Sequence, residues 1–237
     1  NEYRSIGKNY ELISSFGHGR DYFSKNLNKK KNTTYLFSEL DYNLNLNEFD
    51  ESKINLNIEK INNDTFLKVF DSTLLEKTTF LKPSDSNVLN TSLKATLNNE
   101  DFTFITGFES YETLSKSSSD RYQFILPYYK FNRDIISNFK YGTINFNSDA
   151  KNDLSNTNQL KTEIINDISF TGYDHFFLNG FKNKFKINLK NLNSVGKNAA
   201  NYKSSPKVEL SSIFHLQSSY PLQKKFNNKL NILTPKA

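Results

Sequence analysis

The 237 residues carry 31 Lys and Arg against 25 Asp and Glu, a formal charge of +6, with no Cys, Met or Trp. Without Cys there is neither a disulfide framework nor a thiolate metal site, and the Lys residues are spread along the chain rather than gathered into the basic and aromatic face of a nucleic-acid module. No run approaches the roughly 18 consecutive apolar residues of a membrane-crossing helix, whereas membrane-crossing strands, which turn only alternate residues to lipid, are compatible with a mean hydropathy of -0.67.

The chain starts at Asn1, not Met, and shows no export signal at its start. It is therefore expected to be an internal piece of a longer protein. The first clear two-residue period puts Leu36, Leu40, Tyr42, Leu44 and Leu46 on one face and Phe37, Glu39, Asp41, Asn43 and Asn45 on the other. Ile54, Leu56 and Ile58 then alternate with Asn55, Asn57 and Glu59. Leu89, Thr91, Leu93, Ala95 and Leu97 alternate with Asn90, Ser92, Lys94, Thr96 and Asn98. Phe102, Phe104, Thr106 and Phe108 share the next face, and Asn98-Asn99-Glu100-Asp101 supplies the hairpin turn between. Leu160, Thr162, Ile164, Ile168 and Phe170 oppose Lys161, Glu163, Asp167 and Ser169. Phe181, Phe185, Ile187 and Leu189 oppose Lys182, Lys184, Lys186 and Lys190. Val208, Leu210, Phe214, Leu216 and Tyr220 alternate with Glu209, Ser211, His215 and Gln217. The polar stretches 25–32, 115–120, 147–158 and 191–205 are expected to be loops.

This pattern predicts an all-β chain of roughly ten to fourteen strands, each about ten residues long, and no helix. A soluble β-sandwich alternates in the same way. Two features favour an antiparallel transmembrane β-barrel, of which the chain would form part. The strands are long for a soluble sheet, and charged or amide residues occupy the polar face of nearly every segment, as in a wet lumen. Lys94, Lys182, Lys184 and Lys186 all fall on that polar face, and Lys60 falls on the apolar face at a strand end, where it can snorkel.

The candidate functional residues are these lumen-facing polar side chains: Glu39, Asp41, Asn43, Asn55, Asn57, Glu59, Lys94, Lys182, Lys184 and Lys186. They offer hydrogen-bond donors and mild positive charge. No catalytic, cofactor or metal site is expected. His18, His175 and His215 lack ligand spacing, Gly17-His18-Gly19-Arg20 lacks the Lys and helix of a phosphate loop, and no nucleophile elbow is present.

Four stretches carry a resemblance. They are Asn1-Glu2-Tyr3-Arg4 with Tyr10-Glu11-Leu12-Ile13, Asn63-Asp64-Thr65-Phe66-Leu67-Lys68-Val69-Phe70-Asp71, Tyr122-Gln123-Phe124-Ile125-Leu126-Pro127-Tyr128-Tyr129, and Ser219-Tyr220-Pro221-Leu222 followed by Leu233-Thr234-Pro235. In order and spacing they resemble the C-terminal barrel domain of the LptD family, the lipopolysaccharide-assembly proteins of the outer membrane. Pro127 is expected to weaken pairing locally or to mark a bulge.

The resemblance implies that residues 1–237 are part of a single outer-membrane barrel, with the N-terminal periplasmic jellyroll and the closing strands outside the chain. It implies transport of lipopolysaccharide into the outer leaflet of the cell outer membrane, with no bond made or broken. The implied partners are lipopolysaccharide, outer-membrane lipid, an LptE-like plug lipoprotein and the periplasmic Lpt bridge proteins, with no nucleic acid. A passive porin or uptake channel and a soluble extracellular β-rich binding domain are the alternatives.

Overall fold

In the computed structural model, residues 1–69, 81, 83–116, 120–138, 141–177, 180–226 and 229–235 are described. The alternating segments form strands: β1 (Glu2–Ile6), β2 (Tyr10–Ser24), β3 (Lys29–Asn43), β4 (Glu51–Ile61), then one helical turn α1 (Phe66–Val69), β5 (Val88–Asn99), β6 (Phe102–Thr113), β7 (Tyr122–Asn138), β8 (Gly142–Ser155), β9 (Gln159–Gly172), β10 (His175–Phe176), β11 (Lys182–Lys197), β12 (Lys207–Ser219), β13 (Leu222–Phe226) and β14 (Lys229–Leu233). The first twelve make one sheet in which neighbours along the chain pair antiparallel, with the short β10 continuing β9 alongside β11. β13 and β14 form a separate ribbon. Among the described residues no pairing joins β1 to β12, so the sheet is open.

Several strands are long: 15 residues in β2 and β3, 17 in β7 and 16 in β11. Asn residues make the reversals possible. Asn28, Asn45, Asn156 and Asn198 all take positive φ, a conformation that Asn reaches more cheaply than most residues. Gly17 stands opposite Tyr35, and a Cβ there would lie 2.5 Å from the tyrosine ring, so the ring covers bare backbone. At Pro127, which lacks an N–H, the register shifts against both β6 and β8. The Leu126–Pro127 bond is cis.

The cross-strand register sorts the side chains. Leu12, Leu40, Leu56, Leu93 and Phe108 form one row. Leu97, Phe104 and Phe131 form another. Ile144, Phe170, Ile187 and Phe214 form a third on the same face. This apolar face is uncovered: Leu93 is 40% exposed, Phe108 47%, Ile168 42% and Phe214 64%. The buried cluster lies towards one end of the sheet. It comprises Phe37, Ile61, Phe66, Leu67, Leu89 and Leu114, flanked by Tyr22 and Tyr35. Phe37 points to the face opposite Leu36 and Leu40, and α1 brings Phe66 and Leu67 against it.

A polar track crosses the apolar face. The Tyr129 and Ser148 hydroxyls lie 3.1 Å apart, and Ser148 Oγ donates to Asn166 Oδ1 at 2.7 Å. Asn166 Nδ2 donates to Asn191 Oδ1 at 3.1 Å, and Asn193 Nδ2 donates to the same oxygen at 2.5 Å. These side chains satisfy one another across β7, β8, β9 and β11, which offsets the cost of placing amides among apolar neighbours.

The structure corrects five expectations. The loop expected over 147–158 is strand as far as Ser155, and that over 191–205 is strand as far as Lys197. In both, the track's Ser and Asn residues break the apolar alternation while the backbone ladder continues. The loop expected over 25–32 shrinks to 25–28, because β3 begins at Lys29, and Leu44 and Leu46 lie beyond its end. The chain also contains α1, where no helix was expected.

Candidate functional site: the polar face and its loop anchor

The expected polar contacts on β3, β4 and β5 do assemble. Asp41, Asn55 and Lys94 form one cross-strand row, and Glu39, Asn57 and Ser92 the next. Asn43 stands opposite Lys53. Asn55 Nδ2 donates to Asp41 Oδ1. Asn57 Nδ2 donates to the Asn90 carbonyl at 2.9 Å, and the Asn90 N–H donates to Glu59 Oε2 at 2.6 Å. Glu59 is buried and takes over where the β4–β5 ladder stops at Asn57 and Ser92. Its carboxylate is thus a structural acceptor rather than an open ligand.

Lys182, Lys184 and Lys186 share this polar face, since the row from Lys94 runs through Gly107, Tyr128, Lys151 and Glu163 to Ser194 on β11. The two groups do not form one site. Five strand spacings of about 4.8 Å separate them by about 24 Å across the sheet, and the residues between Ser194 and Lys186 add about 26 Å along β11. Lys186 stands opposite His215. Lys182 pairs with Asp174 at 2.7 Å, and its Nζ lies 5.8 Å from the centre of the Phe176 ring. Lys182 and Lys184 line a hollow of about 610 Å³ at that end of the sheet.

Between the two groups lies a cavity of about 580 Å³ whose wall includes Lys94, Glu109, Tyr128, Lys130, Asp149 and Lys151. Of these, only Lys94 was singled out by sequence reasoning. The alternation of β6 to β9 carried the signal, but convergence depends on register across five strands. Cations and carboxylates are interleaved: Lys151 pairs with Glu163 at 3.2 Å, and Tyr111 Oη donates to Glu109 at 2.6 Å. Tyr202, from the loop after β11, donates to Glu163, a bond that pushes its phenol up to about 12. Such a surface offers donors and acceptors to a sugar chain without a strong net field.

A second feature is the anchor of the segment that follows β4. Asn63 caps α1 in the manner of helix N-terminal residues: its Oδ1 accepts from the N–H of Thr65 at 2.9 Å and of Phe66 at 3.0 Å. Asp64 accepts from Ser24 Oγ at 2.6 Å and from the Asn26 N–H at 3.0 Å. Burial pushes the Asp64 carboxyl up, but these bonds outweigh it and hold the group below the usual carboxylate range. The Phe66 ring meets Tyr22 edge-on at 5.2 Å and Tyr35 at 5.7 Å. The segment is thereby pinned to the β2–β3 hairpin over the polar face. Phe70 and Asp71, at the end of the same stretch, lie outside the described residues.

No family model and no curated protein matches this chain. Its functional reading therefore rests on the faces of the sheet, the anchor and the motif resemblance.

Proposed function

We propose that this chain is part of the barrel wall of an outer-membrane protein that carries lipopolysaccharide into the outer leaflet, the role implied by resemblance to the LptD family. The observation that supports the reading is the uncovered apolar face of one long-stranded sheet. In water such a face, running across twelve strands, would exceed the few hundred Å² that soluble monomers expose. In a bilayer it meets acyl chains, and the opposite face lines a wet lumen. Further strands of the intact protein would pair with the free edges of β1 and β12.

The connections 25–28, 62–87, 114–121, 156–158 and 198–206 emerge at one end of the sheet, and 7–9, 44–50, 100–101, 139–141 and 173–181 at the other, so that the longest, 62–87, marks the first end. Long loops face outward in outer-membrane barrels, so on this reading the Asn63–Asp64 anchor belongs to the extracellular side. The charge-balanced wall around Lys94, Lys130, Lys151 and Glu163 suits passage of phosphorylated sugars, because it makes contacts weak enough to release. An LptE-like lipoprotein and the periplasmic Lpt proteins are the partners this role requires.

The test uses the full-length protein in living cells, with a photo-reactive phenylalanine analogue at Lys94 or at Leu93. Lipopolysaccharide adducts at Lys94, with lipid adducts at Leu93, are expected. Ion conductance without adducts at Lys94 would favour a passive channel. Absence of lipid adducts at Leu93 would remove the membrane reading altogether.

A further inference from the structure

At the loop-rich end of the sheet, on the apolar side, two basic residues gather around a single carboxylate. Glu112, on β6, has a side chain only 6% exposed. Lys60 Nζ lies 3.0 Å from its Oε2, although β5 runs between their strands, and Arg121 Nε donates to its Oε1 at 2.7 Å. Tyr122 Oη donates to the same oxygen at 3.1 Å, and Lys60 Nζ sits 5.4 Å from the centre of the Tyr122 ring. One carboxylate thus positions two cations and leaves a surplus positive charge. Arg121 spends only its Nε on Glu112. Among the described residues its terminal amino groups have no hydrogen-bond partner. These are the donors that match phosphate oxygens in a fork geometry.

The cations face a hollow of about 530 Å³, whose wall also includes Lys31, Asn26 and Leu36. Its other carboxylate, Asp64, is hydrogen-bonded by Ser24 and Asn26 and feels the Arg121 charge, so Lys31, Lys60 and Arg121 together outnumber the two carboxylates by one. The hollow opens onto apolar surface: Phe16, Leu36 and Lys60 form one cross-strand row, with Phe16 46% and Leu36 41% exposed. Cations at the rim and an apolar strip below them match a molecule with a phosphorylated head and acyl chains. A free phosphate would use only the first of these.

We propose that Lys60 and Arg121, held by Glu112, together with Lys31 on the wall of the same hollow, form a rim site for the phosphorylated headgroup of an outer-leaflet lipid, whose chains lie along Leu36 and Phe16. The placement in the outer leaflet rests on the function proposed above. The site lies at the rim of the wall, with Lys60 and Glu112 on its lipid side, and would hold lipid against the barrel after delivery or seal the bilayer to it.

The test measures binding of bis-phosphorylated lipid A, dephosphorylated lipid A and inorganic pyrophosphate to the purified full-length protein in detergent by native mass spectrometry. Bis-phosphorylated lipid A should bind, and the dephosphorylated form should bind at least about tenfold more weakly. Lys60→Gln with Arg121→Gln should lower affinity for bis-phosphorylated lipid A by about tenfold or more. Because that variant strands Glu112, the triple variant K60Q/E112Q/R121Q repeats the test without a buried unpaired charge, with heat-modifiable migration as the check on folding. Lys31→Gln, which leaves the network intact, should weaken binding by about two- to threefold. Unchanged lipid A affinity in the folded triple variant would overturn the site. Pyrophosphate binding as tightly as lipid A would overturn its assignment to a lipid. The adduct test at Lys94 is independent: transport can stand while the rim site falls, and the reverse.

Discussion

Replacing Leu93 with Lys tests what the apolar face touches. Leu93 sits near the middle of the 12-residue β5, between Leu56 and Phe108 in its row, and is 40% exposed. If that surface meets water, a long flexible cation there costs no more than about 0.5 kcal/mol. If it meets hydrocarbon near the bilayer midplane, Lys costs about 2–4 kcal/mol. At 1.36 kcal/mol per factor of ten, this is a loss of roughly 30- to 900-fold in the folding equilibrium. Ser92→Lys is the matched control. It is the adjacent residue on the opposite face and stands across from Glu109, so a cation there gains an acidic neighbour. The assay folds full-length variants into phosphatidylcholine vesicles across a guanidinium series and reads the folded fraction by heat-modifiable migration. Leu93→Lys should fall well below Ser92→Lys. Equal stabilities within about 0.5 kcal/mol would refute the assignment of this face to lipid.

Asn166→Leu should cost about 1–3 kcal/mol in the same assay, because Ser148 and Asn191 lose their shared partner, whereas the variant Y129F/S148A/N166L/N191L/N193L, which removes the whole track, should cost clearly less, since none of the track's side chains is left without its partner. Asn63→Ala should remove about 1–2 kcal/mol of capping from α1, seen as faster protease cleavage within 62–87 with unchanged strand content by circular dichroism. The anchor should also respond to acid. The Asp64 carboxyl is held below its ordinary value in the folded state, so its contribution is complete above the unfolded value of about 3.9 and is lost as pH falls through the lower, folded value. Cleavage within 62–87 should therefore rise in that acidic window with a protease active there, and Asp64→Asn should show no such rise.

Much of the architecture was legible in the chain because the two-residue period is a direct imprint of a sheet with unlike faces. β4, β5, β6 and β9 carry it cleanly. β2 does not, because Gly17, Gly19 and the register shift between Gly19 and Tyr22 interrupt it. The ends of β8 and β11 stayed hidden because Ser148, Asn191 and Asn193 look like loop residues until their partners on neighbouring strands are known. α1 was invisible to any helical period, being four residues long and fixed by the Asn63 cap. The polar candidates on β3 to β5 were placed on one face by alternation alone. Their distance from Lys182, Lys184 and Lys186 was not, since it depends on how many strands intervene.

The anchor at Asn63 and Asp64 also sets an order of events. Asp64 bonds to Ser24, 40 positions earlier in the chain, and Asn63 reaches the carbonyls of Tyr22 and Phe23. These partners are in place only once β2 and β3 have paired around the 25–28 turn. Hairpins form in about 1–10 μs, whereas the segment after β4 must also close a longer loop to find its seat. The wall near β2 and β3 is therefore expected to form first, and the turn at 63–69 to seat on its polar face afterwards. A damaged anchor should yield a wall that is complete but uncovered, a defect of timing and closure rather than of strand pairing.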